Sequence, residues 1–503
     1  MAWGLWTLEL LGDLLAVVLL LGLSWLLVAY VVDRTQTQHA IRRNYPVIGR
    51  FRYWFEHLGV FFRQYFFALD REELPFNRAD RSWVYRAAKN ESLNVAFGST
   101  RDIDKPGTPI FLNALIPIAN EAHEPPALLT FGPDCPKPYS TRSLFNISAM
   151  SFGALSAPAV QALSQGAALA GCWLNTGEGG LSSHHLSGKC DLVFQIGTAK
   201  YGVRNDKGEL DVEKLKAISA LDEVKMFEIK LSQGAKPGKG GILPAEKVTP
   251  EIAATRAIPV GEASISPNSH TEVKQVGDLL DLITRVREAT GKPTGIKFVL
   301  GDTRWLSELF LLISERGHQS APDFITLDSG DGGSGAAPQP LMDTTGLPIK
   351  ESLPLVVALL RKHGLKARIR VIAAGKLITP TAVATALCAG ADAVNSARGF
   401  MFALGCIQAM QCNLNTCPTG VTTHNKRLQR GLVPAQKALR VAQYQRQMTE
   451  SLSMIAHACG VSEPRQLCAD HVRFVTRPGH SLPMLDYVLA RDAEVQGSDR
   501  PAP

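Results

Sequence analysis

The 503-residue sequence lacks the patterns that mark several specialised classes of protein. It contains no low-complexity tract and no short internal repeat, and its formal charge of +7 is spread along the chain, which gives no nucleic-acid footprint. Its nine cysteines are odd in number and mostly scattered, unlike the framework of a disulfide-rich secreted domain. What remains is the composition of a folded enzyme, 45% hydrophobic and 20% charged, with reduced thiols expected in a cytosol-facing domain.

Charge is also missing from one long stretch near the amino terminus, residues 14–32, which lies between Asp13 and Asp33. At about 1.5 Å per residue, a helix of this length crosses the ~30 Å hydrocarbon core of a bilayer. A signal peptide is the alternative, but it requires a basic start, and residues 1–13 contain no Lys or Arg. We therefore expect a transmembrane segment over residues 1–33.

Basic residues follow this segment, and the positive-inside rule then places the rest of the chain in the cytoplasm. The expected location is the inner (cytoplasmic) membrane, with a single pass and a cytoplasmic catalytic domain. Residues 34–143 are predicted to be a juxtamembrane and irregular lead-in region, rich in proline, glycine and turns. Within it, the aromatic and basic stretch 51–67 either lies in the membrane interface or packs on the globular body.

Eight short apolar runs, each ending in glycine or polar residues, alternate with amphipathic stretches. This rhythm predicts an α/β fold, a (β/α)8 TIM barrel over residues 144–425. A doubly wound open sheet is the alternative, but no G-x-G-x-x-G turn follows the first predicted strand. The predicted strands lie within residues 144–150, 172–178, 192–197, 224–231, 294–300, 323–330, 369–375 and 393–399.

Glycine-rich loops follow several of these strands: "NTGEGG" (175–180), "KLSQGAKPGKGG" (230–241) and "DSGDGGSGAAP" (328–338). Glycines let the backbone approach a ligand closely and point several N–H groups at it. The active-site loops of such a barrel lie at the carboxyl ends of its strands. The loops after the last two strands often bind a phosphate group. The candidates for such a phosphate site are Gly375, Ser396, Ala397 and Arg398.

Three of the cations in the longest of these loops and the segment after it are candidate site residues. Lys230 ends the fourth predicted strand, where its amine could stabilise a reduced flavin or a substrate carboxylate, or could form an ion pair with Glu178. Lys236 and Arg256 could together hold a dicarboxylate, because a guanidinium binds a carboxylate through two parallel hydrogen bonds. Lys236 could equally be a solvated loop cation.

Three of the nine cysteines fall in one segment, "GCIQAMQCNLNTCPTGV" (405–421), just past the eighth predicted strand. They are Cys406, Cys412 and Cys417. A zinc ion would require a fourth nitrogen or sulfur ligand, for which His424 is the nearest candidate. Thiolates are also the usual ligands of iron–sulfur clusters, and three suit a 3Fe–4S cluster. The spacing leaves both readings open.

Four of these motifs, in this order, resemble the FMN-binding synthase domain of glutamate synthases: "NTGEGG", "KLSQGAKPGKGG", "SGDGGSGAAP" and "CIQAMQCNLNTCPTGV". The resemblance covers roughly residues 145–425, with weaker similarity to about residue 475. It implies FMN at the carboxyl mouth of the barrel and a 3Fe–4S cluster held by the three cysteines. The family reaction reduces 2-iminoglutarate, formed from 2-oxoglutarate and ammonia, to L-glutamate.

The resemblance also implies roles for individual residues. Lys230 and Glu178 are the expected catalytic residues, Glu178 lying on the loop where ammonia enters. Gln233, Lys236 and Arg256 are the expected substrate contacts. The expected FMN contacts are Ser151, Gln195, Lys230, Gly332, Gly333, Gly375, Ser396, Ala397 and Arg398.

The sequence departs from the family outside the barrel. Complete glutamate synthases begin with a glutaminase domain that has an amino-terminal cysteine nucleophile, whereas the first cysteine here is Cys135. We also expect no carboxyl-terminal β-helix domain of the family after residue 475, and residues 426–503 are expected to form a helical extension and tail. Nitrogen is therefore expected from free ammonia or a separate glutaminase, and electrons from ferredoxin or a reductase.

The substrate loop departs as well. Where the family reads "GEGGQLP", this chain reads "GKGGILP", so that Lys239 replaces a glutamate and Ile242 replaces a polar substrate contact. Removing a hydrogen-bonding partner from a polar pocket typically costs ~1–3 kcal/mol, so the substrate could be another carbonyl compound or amino acid. A third hypothesis is a membrane-tethered electron-transfer subunit without a substrate of its own.

Overall fold

The structure is a computed structural model that describes residues 2–119 and 124–488. The chain divides into two compact units, Met1–Ala79 and Asp80–Pro503. The expected boundaries at residues 33, 143 and 425 do not coincide with this division. The expected tail falls largely on residues 489–503, outside the described residues.

The first unit is helical. Within the described residues, one helix is long and apolar enough to cross a membrane, over Glu9–Thr35, and a signal sequence would satisfy the same criteria. This helix extends two residues beyond the segment expected from the sequence. The unit consists of α1 (Ala2–Thr35), α2 (Ala40–Asn44), α3 (Gly49–Phe62) and a π-helical turn (Arg63–Phe67).

The second unit contains a closed barrel of eight parallel strands, taken in chain order around the barrel. The last strand pairs with the first, with Val394 opposite Phe145, so no edge is left open. The eight predicted strands and the TIM-barrel class are thereby confirmed, and the doubly wound sheet is excluded. The strands are β4 (Phe145–Ile147), β5 (Leu174–Asn175), β6 (Leu192–Ile196), β7 (Val224–Lys230), β10 (Thr294–Val299), β11 (Phe324–Asp328), β12 (Arg370–Ala374) and β13 (Ala393–Ser396).

Helices connect these strands, and local signals set their ends. In the first helix after β4, the Ser156 hydroxyl accepts the backbone N–H of Ala159 at 3.3 Å, and Gly171 ends the helix in the left-handed conformation. The helices are α5 (Ala157–Ala170), α6 (Ser183–Leu186), α7 (Val212–Ser219), α9 (Val276–Thr290), α10 (Arg304–Arg316), α12 (Ile349–Lys362), α13 (Pro380–Cys388) and α14 (Arg398–Leu404).

Insertions lengthen the loops after the fourth and sixth barrel strands, β7 and β11, as the proline- and glycine-rich sequence there predicts. In a parallel barrel these loops project from the carboxyl ends of the strands, so the insertions enlarge that mouth. They contribute β8 (Ile242–Leu243), α8 (Pro250–Arg256), β9 (Ser264–Ile265) and α11 (Gln339–Thr344).

The opposite, amino-terminal end of the barrel is closed by a hairpin of β2 (Leu129–Phe131) and β3 (Tyr139–Thr141). Phe131 is fully buried, and its ring meets those of Trp173 and Phe324 edge-on, each at 5.7 Å between centroids. The sequence predicts an irregular lead-in here. Strands of three residues between glycines and prolines are too short to show the alternation of apolar and polar residues that predicts a strand. They are stabilised by burial against the barrel.

The carboxyl-terminal extension is only partly helical. The long helix α16 packs along α5, so closely that a Cβ on Gly166 would lie 2.5 Å from Val441 Cβ. After this helix, two strands pair with one strand of the lead-in region and form an antiparallel sheet. The lead-in strand is far away in the sequence, so no local pattern predicts the pairing. The elements are α4 (Arg78–Ala88), β1 (Pro109–Phe111), α15 (Lys426–Gln429), α16 (Pro434–Ala458), β14 (Val472–Arg477) and β15 (His480–Pro483).

Candidate active site

An ion pair between two loops stands at the carboxyl mouth of the barrel. Lys230 is the last residue of β7, and its Nζ lies 2.9 Å from Oε1 of Glu178, which follows β5. The same amine donates to Oε1 of Gln233. The two residues expected to be catalytic are therefore in direct contact, with one expected substrate contact beside them, and the ion pair considered as an alternative for Lys230 is present.

Glu178 is the anionic centre of a positively charged cluster. Burial raises the pKa of its carboxyl group, but Lys230, Lys236 and Arg256 outweigh burial and hold the pKa below its ordinary value. The backbone of the substrate loop passes directly over this carboxylate, because a Cβ on Gly241 would lie 2.6 Å from its Oε1. Glu178 is thus ionised and held between the loop and the cations.

Lys236 is buried, with 5% of its surface exposed, and its amine donates only to the Gly240 carbonyl, at 3.3 Å. Burial and the neighbouring Lys230 lower its pKa to about 8. Among the residues described, none of the carboxylates lies within ion-pair distance of it. A buried ammonium group without a counter-ion is costly, so this position favours an anionic ligand.

Arg256 is a second buried cation without a carboxylate partner in the described part of the chain. Its guanidinium donates to Oγ of Ser264 at 3.0 Å and to the Phe152 carbonyl at 3.3 Å, and it lies 5.2 Å from the centre of the Tyr201 ring. Its Nε has no hydrogen-bond partner among the described residues. These neutral contacts fix the plane of the guanidinium, and Glu178 acts on its positive charge without forming a direct ion pair with it.

A polar layer inside the barrel lies below this cluster, and most of its residues are not predicted from the sequence. Glu228 accepts hydrogen bonds from Asn175 Nδ2 at 2.8 Å, Gln195 Nε2 at 2.6 Å and Thr326 Oγ1 at 2.5 Å. Gln195, expected to contact FMN, therefore belongs to this layer. Glu228 is one of three charged residues in this strand, with Lys225 and Lys230, so its own strand does not mark it as part of a polar layer.

Lys297 is a further cation that the sequence analysis missed. It stands opposite Lys230 on the adjacent strand, and its Nζ lies 3.4 Å from Asp328 Oδ2. Burial lowers its pKa, but Asp328 and Glu228 outweigh burial and hold the pKa above its ordinary value. The mouth thus places two lysines side by side on neighbouring strands.

The loops expected to contact FMN meet backbone to backbone at glycines. Gly375 has a φ of +108° and lies so close to Ser329 that a Cβ would fall 2.2 Å from the serine Cβ. A Cβ on Gly332 would lie 3.4 Å from Gly234 Cα, so the loop after β11 is in backbone contact with the loop after β7. Ser151, after β4, packs against the loop that carries Glu178.

The end of the last barrel strand joins this loop cluster to the cysteine segment. Ser396 ends β13, Ala397 follows, and Arg398 begins α14. The Arg398 side chain donates to the Ser334 carbonyl at 2.8 Å, and its Nη1 lies 3.8 Å from Cys412 Sγ. Gly333 lies directly against this guanidinium, since a Cβ there would be 2.9 Å from its Nε.

The three cysteines of the segment are free thiols; Cys406 and Cys417 are buried, and Cys412 is partly exposed. Burial raises the pKa of Cys406 to about 11. Burial also opposes ionisation of Cys417, but hydrogen bonds from Thr419 and Thr422 hold its pKa below the ordinary value. Two cations accompany the segment: Arg398, and Lys247, whose amine donates to the Cys412 carbonyl at 2.8 Å.

No group of three or more His, Cys, Asp or Glu side chains within residues 2–119 and 124–488 is arranged to hold a metal ion. The His424 ring, the fourth ligand in the zinc alternative, forms a hydrogen bond of 2.8 Å to the Gly153 carbonyl instead. A single zinc ion held by three cysteines and this histidine therefore has no support. A three-iron cluster spans several ångströms, so its thiolates need not converge on one point.

The two departures from the family motif lie at the edge of the site. Lys239 is exposed. Ile242 is 42% exposed on β8, opposite Ile265 of β9. Neither side chain belongs to the buried cluster around Glu178.

A closed (β/α)8 barrel with glycine-rich loops and unpaired buried cations at its carboxyl mouth defines an α/β-barrel protein with a site for anionic ligands. A family profile described as "Conserved region in glutamate synthase" matches residues 119–462. The chain belongs to the glutamate synthase family, as the four motifs predict.

Similar proteins span different shares of the chain. A glutamate synthase large subunit-like protein, YerD, of Bacillus subtilis is 41% identical over 489 residues, which are 90% of this chain and 92% of that protein. An archaeal-type glutamate synthase [NADPH] of Thermotoga maritima is 34% identical over 317 residues, 63% of this chain and 59% of its own length. The match thus leaves much of the archaeal-type synthases uncovered.

Among solved structures, the flavin-binding domain of baker's yeast flavocytochrome b2 is similar with a TM-score of 0.43 and 14% identity, covering 84% of each chain. A mandelate oxidase variant with an FMN adduct has a TM-score of 0.42 and 14% identity, covering 77% of this chain and 90% of that one.

Proposed function

We propose that this chain is an FMN- and iron–sulfur-dependent oxidoreductase that reduces 2-iminoglutarate, formed from 2-oxoglutarate and ammonia, to L-glutamate. One observation carries the proposal. The buried cations Lys236 and Arg256 have no carboxylate partner in the described structure and flank the Lys230–Glu178 pair at the carboxyl mouth of a glutamate synthase-family barrel.

A dicarboxylate would supply the missing counter-charges. Lys236 is a compact ammonium group, while the Arg256 guanidinium is held flat by Ser264 and Phe152, so each could take one substrate carboxylate. Gln233 and Lys230 lie next to them and could orient the oxo or imino group. Glu178, kept ionised by its cations, would lie at the same place, on the loop where ammonia is expected to enter.

The residues at the mouth also fit FMN. Four buried cations, Lys230, Lys236, Arg256 and Lys297, exceed the carboxylates beside them, and the glycine-rich loops bring backbone close to the site. When bound, FMN supplies hydride chemistry. Ser151, Gln195, Lys230, Gly332 and Gly333 would surround it. Its phosphate would be held by Gly375, Ser396, Ala397 and Arg398.

Cys406, Cys412 and Cys417 would hold the 3Fe–4S cluster, which supplies one-electron transfer when bound. Lys247 and Arg398 add positive charge beside these sulfurs, which suits an anionic cluster. Electron paramagnetic resonance of anaerobically prepared protein tests this assignment. We expect the signal of an oxidised three-iron cluster, lost in Cys412→Ser and retained in the control Cys468→Ser, whose thiol is exposed elsewhere. Metal-free protein would contradict it.

The partners follow from the same proposal. Nitrogen would come from ammonia or a separate glutaminase, and electrons from ferredoxin or a reductase; the archaeal-type relatives carry NADPH in their names. Helix α1 would tether the catalytic unit to the cytoplasmic face of the inner membrane.

Turnover tests the function directly. Full-length protein, purified anaerobically, is given 2-oxoglutarate, ammonium and a reduced viologen dye, and glutamate is measured by mass spectrometry. We expect glutamate only when all three are present. Bound FMN without glutamate formation would overturn the substrate assignment and favour a different carbonyl substrate, as Lys239 and Ile242 suggest. An unchanged cellular role for Lys230→Met would favour an electron-transfer subunit instead.

A further inference from the structure

Helix α3 in the first unit carries an aromatic face that is open to solvent. Large apolar side chains recur with helical spacing, so they share one side of the helix. Trp54 is 54% exposed and Phe55 is 61% exposed. The π-helical turn that follows adds further exposed aromatic rings. The face consists of Phe51, Trp54, Phe55, Leu58, Phe61 and Phe62.

The other side of α3 and the preceding segment are basic. Arg52 and Arg63 lie on the side of the helix away from the aromatic face, and Arg42 and Arg43 belong to α2. Residues 34–67 contain six arginines and one acidic residue. An aromatic face bordered by arginines is the composition of a helix that lies in the surface of an anionic membrane.

The start of α3 is fixed at the end of the apolar run of α1. The buried Asp33 carboxylate, the first charge after that run, accepts Arg50 Nε at 2.7 Å and the Val47 backbone N–H at 2.9 Å. The guanidinium of Arg50 also lies 5.8 Å from the centre of the Trp25 ring. These contacts hold α3 at the level where a spanning α1 would leave the hydrocarbon core.

The turn between α2 and α3 is equally closely packed. A Cβ on Gly49 would lie 2.9 Å from the Ile41 carbonyl oxygen, so only glycine lets the two helices approach this closely. This contact fixes α3 against α2, and the ion pair of Arg50 with Asp33 ties the start of α3 to α1. The aromatic face is not an unstructured linker but one side of a fixed helix.

We infer that residues 49–67 lie in the interface of the membrane that α1 crosses, with the aromatic face in the outer acyl region and the arginines on anionic phospholipid headgroups. The inference rests on the proposed anchor. Lipid suits the face because it continues directly from the α1 span, and aromatic rings are enriched at this depth. The excess of arginine complements acidic headgroups.

Fluorescence quenching by brominated lipids tests the inference on the full-length protein. The protein is reconstituted into phosphatidylcholine–phosphatidylglycerol vesicles that carry bromine either near the headgroups or deep in the acyl chains. The fluorescence contributed by Trp54 is obtained by subtracting the emission of the Trp54→Phe variant from that of the wild type. The same subtraction with two other variants provides the controls. They are Trp25→Phe in α1 and Trp305→Phe in α10 of the second unit.

We expect shallow bromines to quench the Trp54 contribution at least about twofold more than deep ones, as for an interfacial ring. The Trp25 contribution should be quenched by bromolipid, and the Trp305 contribution should not. If Trp25 is quenched but Trp54 is not, the face is covered by protein and the inference is wrong while the anchor stands. If neither is quenched, the anchor itself fails.

Discussion

The two ends of the barrel differ in how their buried side chains are paired. At the amino end, a hairpin inserts Phe131 among Trp173 and Phe324, and the buried charge Asp323 contacts both Arg287 and Arg368 at 2.9 Å. At the carboxyl end, Lys236 and Arg256 are as deeply buried but have no such counter-ion among the described residues.

This difference separates stability from function. Apolar burial and paired charges lower the free energy of the folded state, whereas unpaired buried cations raise it until an anion binds. Substitutions at the amino end should therefore unfold the protein, and substitutions at the carboxyl end should impair ligand binding without unfolding it.

The amino-end core should be the most sensitive to truncation. Phe131→Ala removes a fully buried ring that contacts two others, and we expect a loss of about 3–5 kcal/mol in the free energy of unfolding. Chemical denaturation followed by circular dichroism measures it. The adjacent Leu128, 58% exposed, is the control, and Leu128→Ala should change stability by less than about 0.5 kcal/mol. Equal effects of the two would contradict a core role for the hairpin.

At the other end, Lys236→Met should lower kcat/KM for 2-oxoglutarate about 100-fold, because a buried charge partner of the substrate is lost. The thermal midpoint should not fall, since the substitution removes an unpaired buried charge. Lys362→Met, at the exposed end of α12, is the control for loss of a lysine. A variant that loses activity only because it unfolds would contradict the proposed division.

The same lysine should give the site a pH dependence. Burial lowers its pKa to about 8 from an ordinary value of 10.5, so the amine loses its charge as pH rises through about 8. Affinity for 2-oxoglutarate should then fall, by up to about tenfold per pH unit. Between these two pKa values the folded state binds fewer protons than the unfolded chain, so this group makes stability rise with pH.

Calorimetric titration at several pH values measures the affinity. The Lys236→Met variant should lose the dependence above pH 8. A wild-type affinity that is constant through this range would exclude Lys236 as the ligand's counter-ion.

Substitutions at the rim of the barrel mouth should have the smallest effect on substrate binding. Ile242→Gln restores the residue of the family motif, but the side chain is 42% exposed on β8, so we expect a change in KM for 2-oxoglutarate of no more than about threefold. Ile265→Gln on the opposing strand is the control. A tenfold gain in affinity would place Ile242 in the substrate pocket and show that this chain evolved away from 2-oxoglutarate.

The barrel could be predicted from sequence because its eight strands are buried on both faces and read as apolar runs ending at glycines. The hairpin that carries Phe131 could not, since three-residue strands have no readable period. The sheet of β1 and β14 was also missed, because its partners lie at opposite ends of the second unit. Local patterns cannot report such pairings.

Motifs identify the residues of the candidate site in the sequence, but they do not predict the charges that surround those residues in the fold. Lys230 and Glu178 could be singled out, and the ion pair between them was one of the two alternatives considered. Lys297 and Glu228 were overlooked because a charge within an apolar strand can be read only once the neighbouring strand is known. Register places Lys297 beside Lys230, and that information is absent from either strand alone.

In the proposed function, the cations Lys236 and Arg256 at the carboxyl mouth bind an oxo-acid next to FMN. The most direct measurement is the visible spectrum of flavin in the anaerobically purified full chain, titrated with 2-oxoglutarate. Wild type should contain FMN and show a saturable change, and Lys236→Met should keep its FMN while the apparent Kd rises about 100-fold. Protein without flavin, or an identical titration in both, would contradict the account.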